Sequence, residues 1–143
     1  AVKTAAAVVV DSYAWIEIFI GSSQGEKAKE AILKAEEAYT PDIVLAEIAR
    51  KYMREGVKEN IIQQRLKTIE ETTEITPIDT QTAMESAKGY MQLTEKAMRE
   101  NLKAPSLFDA IILATEKTLN AKLITGDQHF KGLGQTIWIG ETP

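Results

Sequence analysis

An α/β fold, with a parallel sheet covered by helices on both faces, is what the sequence predicts, and three observations lead there. Val8-Val9-Val10 and Lys122–Thr125 are short apolar runs of the kind that form strands buried on both faces. Most of the chain between them carries apolar residues at helical spacing, with Lys and Glu on the opposite side. Strands and helices alternate, so consecutive strands are joined by right-handed crossovers and lie parallel. The carboxyl ends of such strands share one edge, and ligands bind there.

The elements follow in order. Val8–Val10 ends at Asp11-Ser12, and an apolar helix from about Ala14 to Ile20 closes at Gly21-Ser22-Ser23. Ala28, Ala31, Ile32, Ala35 and Ala38 recur at helical spacing and predict a second helix. Thr40 is placed as an N-cap and Pro41 as the first residue of a third helix that runs to Glu55 and stops at Gly56. Val57, Ile61, Ile62, Leu66 and Ile69 mark a fourth helix, and Glu74–Ile78 reads as a strand. Asp79-Thr80 caps a long helix carrying Ala83, Met84, Ala87, Tyr90, Met91 and Leu93. A basic connection with Lys96, Arg99, Lys103 and Pro105 then precedes a sixth helix, Ser106–Leu119. After the strand Lys122–Thr125 come a turn at Gly126-Asp127 and a last short strand, Thr136–Ile139.

The composition bounds the function. At 143 residues, 44% of them hydrophobic and 27% charged, residues 1–143 make one compact domain and leave no room for a second. The longest apolar stretches fall short of the ~20 residues of a membrane span. No apolar leader follows a basic start, so the expected location is the cytoplasm, away from membranes. With no Cys and one His, disulfides, thiolate zinc, cysteine nucleophiles and poly-histidine metal sites are excluded. The chemistry has to come from carboxylates, hydroxyls and amines. The formal charge of -4 does not describe a surface coated for nucleic acid.

Only five of the 21 acids are Asp: Asp11, Asp42, Asp79, Asp109 and Asp127. Asp42 and Asp79 suit helix starts. Asp11 and Asp127 each follow a strand directly and fall on the ligand-binding edge, although a helix cap and an ordinary turn account for them equally. Asp109 lies inside the apolar run Leu107–Ala114, where a buried carboxylate needs a partner. That partner is either a ligand or the Ser106 N–H, in the spacing of a capping box. Glu47 is the only acid between Asp42 and Glu55; Arg50 and Arg54 share its face, and Lys51 offers a routine ion pair.

Taken together these segments resemble a known family. The order Val-Val-Val-Asp11-Ser12, Leu45-Ala46-Glu47-Ile48, Leu107-Phe108-Asp109-Ala110-Ile111-Ile112-Leu113-Ala114-Thr115 and Leu123-Ile124-Thr125-Gly126-Asp127-Gln128-His129-Phe130 resembles the PIN domain. More narrowly, it resembles the VapC-type toxins of toxin-antitoxin pairs, over essentially the whole chain. The resemblance implies a three-layer α/β/α sandwich with a central, mostly parallel sheet, and an endoribonuclease that depends on a divalent metal. It also implies a VapB-like antitoxin partner and products with a 5' phosphate and a 3' hydroxyl. By motif match Asp11, Glu47, Asp109 and Asp127 are the catalytic and metal-binding quartet, with Ser12 and Thr125 as supporting hydroxyls. Many relatives carry a further acid two residues after the last Asp, where this chain has His129; that ring either contacts phosphate, assists a metal or faces solvent.

The residue types agree with that chemistry. Carboxylates and water suit Mg2+ or Mn2+, up to two per site, and converging carboxylates without a cation repel one another. Two such ions bridge a scissile phosphate and activate water, with no protein nucleophile. Binding RNA at net charge -4 requires locally clustered bases; Arg50, Arg54, Arg99 and His129 are the candidates for substrate contact. Exposed aromatics for base stacking are not evident, apart from Tyr13 beside the site. The first helix, with Trp15, Ile16, Ile18, Phe19 and Ile20, is apolar enough for a homodimer contact, an antitoxin groove or full burial. The competing readings are a PIN nuclease outside toxin function and a PIN-like binding module without catalysis. A response-regulator receiver needs adjacent acids at the end of its first strand, which Asp11-Ser12 does not supply.

Overall fold

The computed structural model describes residues 6–141. The elements are β1 (Ala7–Val10), α1 (Ser12–Ile20), α2 (Ser23–Lys34), β2 (Glu37–Pro41), α3 (Asp42–Arg54), α4 (Glu59–Thr72) and β3 (Glu74–Thr76). They continue with α5 (Thr80–Arg99), α6 (Leu107–Thr118), β4 (Lys122–Thr125), a 3-10 turn (Gln128–Phe130) and β5 (Thr136–Trp138). The five strands form one sheet in the order β3-β2-β1-β4-β5, and every pairing is parallel. The α/β sandwich expected from the sequence is the fold observed.

The strand order creates the feature that matters for function. From β1 the chain moves outward through β2 to β3, then returns by way of α5 and α6 to β4 on the other side of β1. The sheet therefore changes winding direction between β1 and β4, and the crevice at their carboxyl ends is where such folds bind ligands. Val8, Val9, Val10, Leu123 and Ile124 are fully buried at this centre, and α6 lays Ile112, Leu113 and Ala114 against it.

Local chemistry explains the first two helices and their packing. Gly21 ends α1 in the left-handed conformation at φ 78°, which glycine adopts without strain. Gly25 lets α2 lie directly on α1: a Cβ there would stand 2.2 Å from the Glu17 carbonyl oxygen. Trp15 is buried, and its Nε1 donates to Thr40 Oγ1 at 3.1 Å. Thr40 Oγ1 and Thr73 Oγ1 are 2.7 Å apart, and Thr73 donates onward to the Ile69 carbonyl. This buried polar chain ties α1, β2 and α4 together.

Four local expectations are corrected. The second helix stops at Lys34, and Glu37–Pro41 is a strand between β1 and β3, so Ala38 belongs to the sheet. Thr40 does not cap α3, because its hydroxyl is committed to Trp15 and Thr73; the N-cap position is Pro41, with no side-chain cap bond. Val57 precedes α4, which starts at Glu59. The basic connection is shorter than expected, since α5 runs to Arg99 and includes Lys96.

Candidate active site

Asp11 and Asp127 lie on either side of the crevice. Val10 pairs with Ile124 in the β1–β4 register, so the residues following these strands emerge side by side. Asp11 is 2% exposed and caps α1, its Oδ1 accepting from the Ala14 N–H at 2.9 Å. Asp127 donates its backbone N–H to Thr125 Oγ1 at 3.0 Å, and its Oδ1 accepts from the His129 N–H at 2.9 Å. Both residues thus do the local work that a cap and a turn require, and they stand close enough for the charge of Asp127 to act on Asp11.

Asp109 and Glu47 come from the helices. Ser106 and Asp109 form a complete capping box: Ser106 Oγ accepts from the Asp109 N–H, and Asp109 Oδ2 accepts from the Ser106 N–H at 2.9 Å. The capping role and a place among the acids are therefore compatible, because one carboxylate oxygen remains for the site. Glu47 stands in the second turn of α3, and its Oε1 is buried without a hydrogen-bond partner.

The four carboxylates feel one another. Burial pushes Asp11 up to about 8, against the Thr125 hydroxyl and the Ala14 N–H, and the charges of Asp127 and Glu47 add to the rise. Burial likewise lifts Glu47 to about 7, reinforced by Asp109 and Asp127 and opposed by Arg50 and Ser12. Asp109 is raised by burial, with the Ser106 hydrogen bond opposing and Asp127 adding. Ser12 and Thr125 act here as hydroxyls that favour the charged forms of Glu47 and Asp11.

The substrate candidates are distributed unevenly. Arg50 is exposed, acts on Glu47, and sets its guanidinium carbon over the Phe108 ring, 5.7 Å from its centre. Arg54 and Arg99 are exposed near the carboxyl ends of α3 and α5, and no contact joins either to the acids. His129 is held within the chain, with Nδ1 on Asp127 and Nε2 on the Lys103 carbonyl at 2.6 Å. Lys96 is buried, 4% exposed, and its Nζ donates to the Gln128 carbonyl at 3.1 Å, fixing the turn after Asp127. Neither Phe108 nor the positioning role of Lys96 is foreseen from the sequence, because one sits in an apolar run and the other in a run of bases.

With this arrangement in view, the comparison with known families is direct: the model of the PIN domain matches residues 8–135. The chain belongs to the PIN domain family. Among curated proteins none matches it. Solved structures do. A toxin-antitoxin complex from Klebsiella pneumoniae is 24% identical with a TM-score of 0.67, covering 94% of this chain and 99% of that one. VapBC-5 from Mycobacterium tuberculosis is 23% identical with a TM-score of 0.58, covering 95% and 99%. VapC20 of the same organism, described as a sarcin-ricin loop cleaving toxin, is 16% identical with a TM-score of 0.59, covering 90% and 95%. At these identities the likeness is one of fold.

For a PIN domain the donor set can be tested on this chain. Asp11, Glu47, Asp109 and Asp127 are hard oxygen donors suited to Mg2+ or Mn2+, and the orphaned Glu47 Oε1 is a buried acceptor awaiting a positive partner. The residues fit such an ion. Among the described residues no trio of His, Asp or Glu stands ready-made around one ion position. Tyr13 bounds the site: its ring lies against Gly126, where a Cβ would come within 2.3 Å of Cε1, and its hydroxyl donates to Gln24 Oε1 at 2.5 Å. No helix among the described residues is long and apolar enough to cross a membrane.

Proposed function

We propose that this PIN domain is a divalent-metal-dependent endoribonuclease acting as the toxin of a VapBC-type pair. The observation that carries the reading is the convergence of Asp11, Glu47, Asp109 and Asp127 at the β1–β4 crevice, with Asp11 and Glu47 raised to about 8 and 7. A fold that gathers four acids at the cost of their ionisation gains most from a cation among them. Similarity in fold to toxin-antitoxin complexes supports a small antitoxin as partner, and similarity to a toxin described as cleaving the sarcin-ricin loop supports RNA as substrate.

In this mechanism the four carboxylates would hold Mg2+ or Mn2+, which supplies charge for the scissile phosphate and a water of lowered pKa. The protein's own contribution is placement. The bond to the Ala14 N–H fixes Asp11, the capping box fixes Asp109, and Lys96 and His129 hold the turn that carries Asp127. The amino-terminal ends of α1 and α6 lie at these acids and favour an anionic substrate there. Arg50 brings a fixed positive charge beside Glu47.

The test has two arms. Mn2+ is expected to raise the melting temperature of the wild type and to elicit cleavage of single-stranded RNA, with both effects lost in Asp11→Asn. Cleavage persisting unchanged in Asp11→Asn would overturn the reading. The reading also expects a homodimer, which sedimentation of the isolated chain would reveal.

A further inference from the structure

Beside the acids, the charge that Arg50 brings to Glu47 leaves its contact with an aromatic ring unaccounted for. Phe108 is the second residue of α6, immediately before Asp109, and is half-buried. Arg50 reaches across from α3 and sets its guanidinium 5.7 Å from the centre of that ring. Arg50 itself is exposed, and its charge acts on Glu47, so the pair stands at the rim of the acid cluster.

A phosphate contact alone does not call for this arrangement. A phosphate needs only a positive charge within reach, and a Lys on a flexible stem provides it. A guanidinium laid on an aromatic ring is different: the ring holds it in a defined position and leaves solvent on its outer side. Planar groups of this kind stack the splayed bases of single-stranded RNA, on aromatic rings and on Arg planes alike.

We propose that Arg50 and Phe108 form a stacking platform for one nucleobase next to the scissile linkage of a single-stranded RNA. This rests on the nuclease reading and adds a specificity subsite to it. The phosphate is drawn to the crevice by Asp11, Glu47, Asp109 and Asp127 once their charge is neutralised, and the adjoining base lies over Arg50. Stacking tolerates every base, so the platform dictates where a base must be present more than which base it is. Its loss is expected to weaken binding roughly five- to hundredfold.

The experiment uses the full chain as Asp11→Asn, which keeps the RNA intact, and a fluorescein-labelled single-stranded RNA that the wild type cleaves. A series of the same RNA carries one abasic ribose at each position in turn. One abasic position beside the cleaved bond is expected to weaken binding about tenfold. Phe108→Leu and Arg50→Lys are each expected to bind intact RNA at least fivefold more weakly and to show no further loss at that position. Arg50→Lys preserves the charge on an exposed side chain, so it keeps both the fold and the salt dependence of binding. A flat abasic profile in the parent, an undiminished penalty in Arg50→Lys, or full affinity of Arg50→Lys for intact RNA overturns the platform. If the wild type cleaves no single-stranded RNA with Mn2+, the nuclease reading falls first and the platform with it; if it cleaves and the profile is flat, only the platform falls.

Discussion

The His129 Nδ1 stands 2.8 Å from the Asp127 Oδ1, while the Nε2 of the same ring is 2.6 Å from the Lys103 carbonyl. A carbonyl only accepts, so Nε2 donates to Lys103, and both ring nitrogens of His129 are held by hydrogen-bond partners. Burial works against a charge on the ring, and the hydrogen bonds to Lys103 and Asp127 outweigh it, leaving the ring's pKa above the ordinary histidine range. His129 therefore acts as a clamp between the turn after β4 and the segment before α6.

Removing the clamp is the first test. His129→Ala is expected to lower stability by about 1–2 kcal/mol, because the part-buried bond to Asp127 and the bond to the Lys103 carbonyl both disappear. Urea unfolding at neutral pH measures it, and a change below a few tenths of a kcal/mol would show the ring to be idle.

Asp11→Asn separates stability from activity. The amide retains an oxygen for the Ala14 N–H but cannot ionise, so the burial cost of Asp11 vanishes. The unfolded-state Asp ionises near 4 and the folded one near 8. The wild-type stability from this group therefore falls as pH rises between those values and levels off above them. Without metal, Asp11→Asn is expected to melt several degrees above wild type at pH 8 and close to it at pH 4. An Asn variant that melts lower at pH 8 contradicts the argument.

Glu116 gives the same sign away from the site. It is 2% exposed on α6, its Oε2 has no hydrogen-bond partner, and burial lifts it to about 7, with Lys117 opposing. A raised carboxylate loses stability as pH rises from its unfolded value toward the folded one, here between about 4.5 and about 7. Glu116→Gln is expected to gain roughly 3 kcal/mol at pH 8 and nothing at pH 4, read from melting curves at the two pH values.

The α1–α2 contact is tested by Gly25→Ala. A methyl group 2.2 Å from the Glu17 carbonyl oxygen forces the two helix backbones apart. The expected loss is about 2 kcal/mol or more, seen as a lowered urea midpoint with an unchanged slope. Retention of full stability would mean that the helices are not in backbone contact.

How far the sequence is legible depends on what each element owes to its neighbours in the chain. β1, β4 and α6 announce themselves because their apolar runs are buried all round, and Asp11 and Asp127 are placed simply by following strands. β2 is hidden, since Ala35 and Ala38 extend a helical spacing and only the flanking β1 and β3 make Glu37–Pro41 a strand. The Thr40 hydroxyl misleads for the same reason: its partners, Trp15 and Thr73, lie 25 and 33 residues away. In the site, the order of the four acids is readable, whereas the grip of Lys103 on His129 and the placing of Arg50 over Phe108 arise from elements that meet only in the folded chain.

β4 is an interior strand of the sheet, between β1 and β5, yet it comes late in the chain. Asp11, Glu47 and Asp109 all precede β4 in the chain, and Asp127 follows it. Thr125, the last residue of β4, supplies the hydroxyl that favours the charged form of Asp11. The crevice therefore needs both ends of the chain: β1 and Asp11 near its start, β4 and Asp127 near its end.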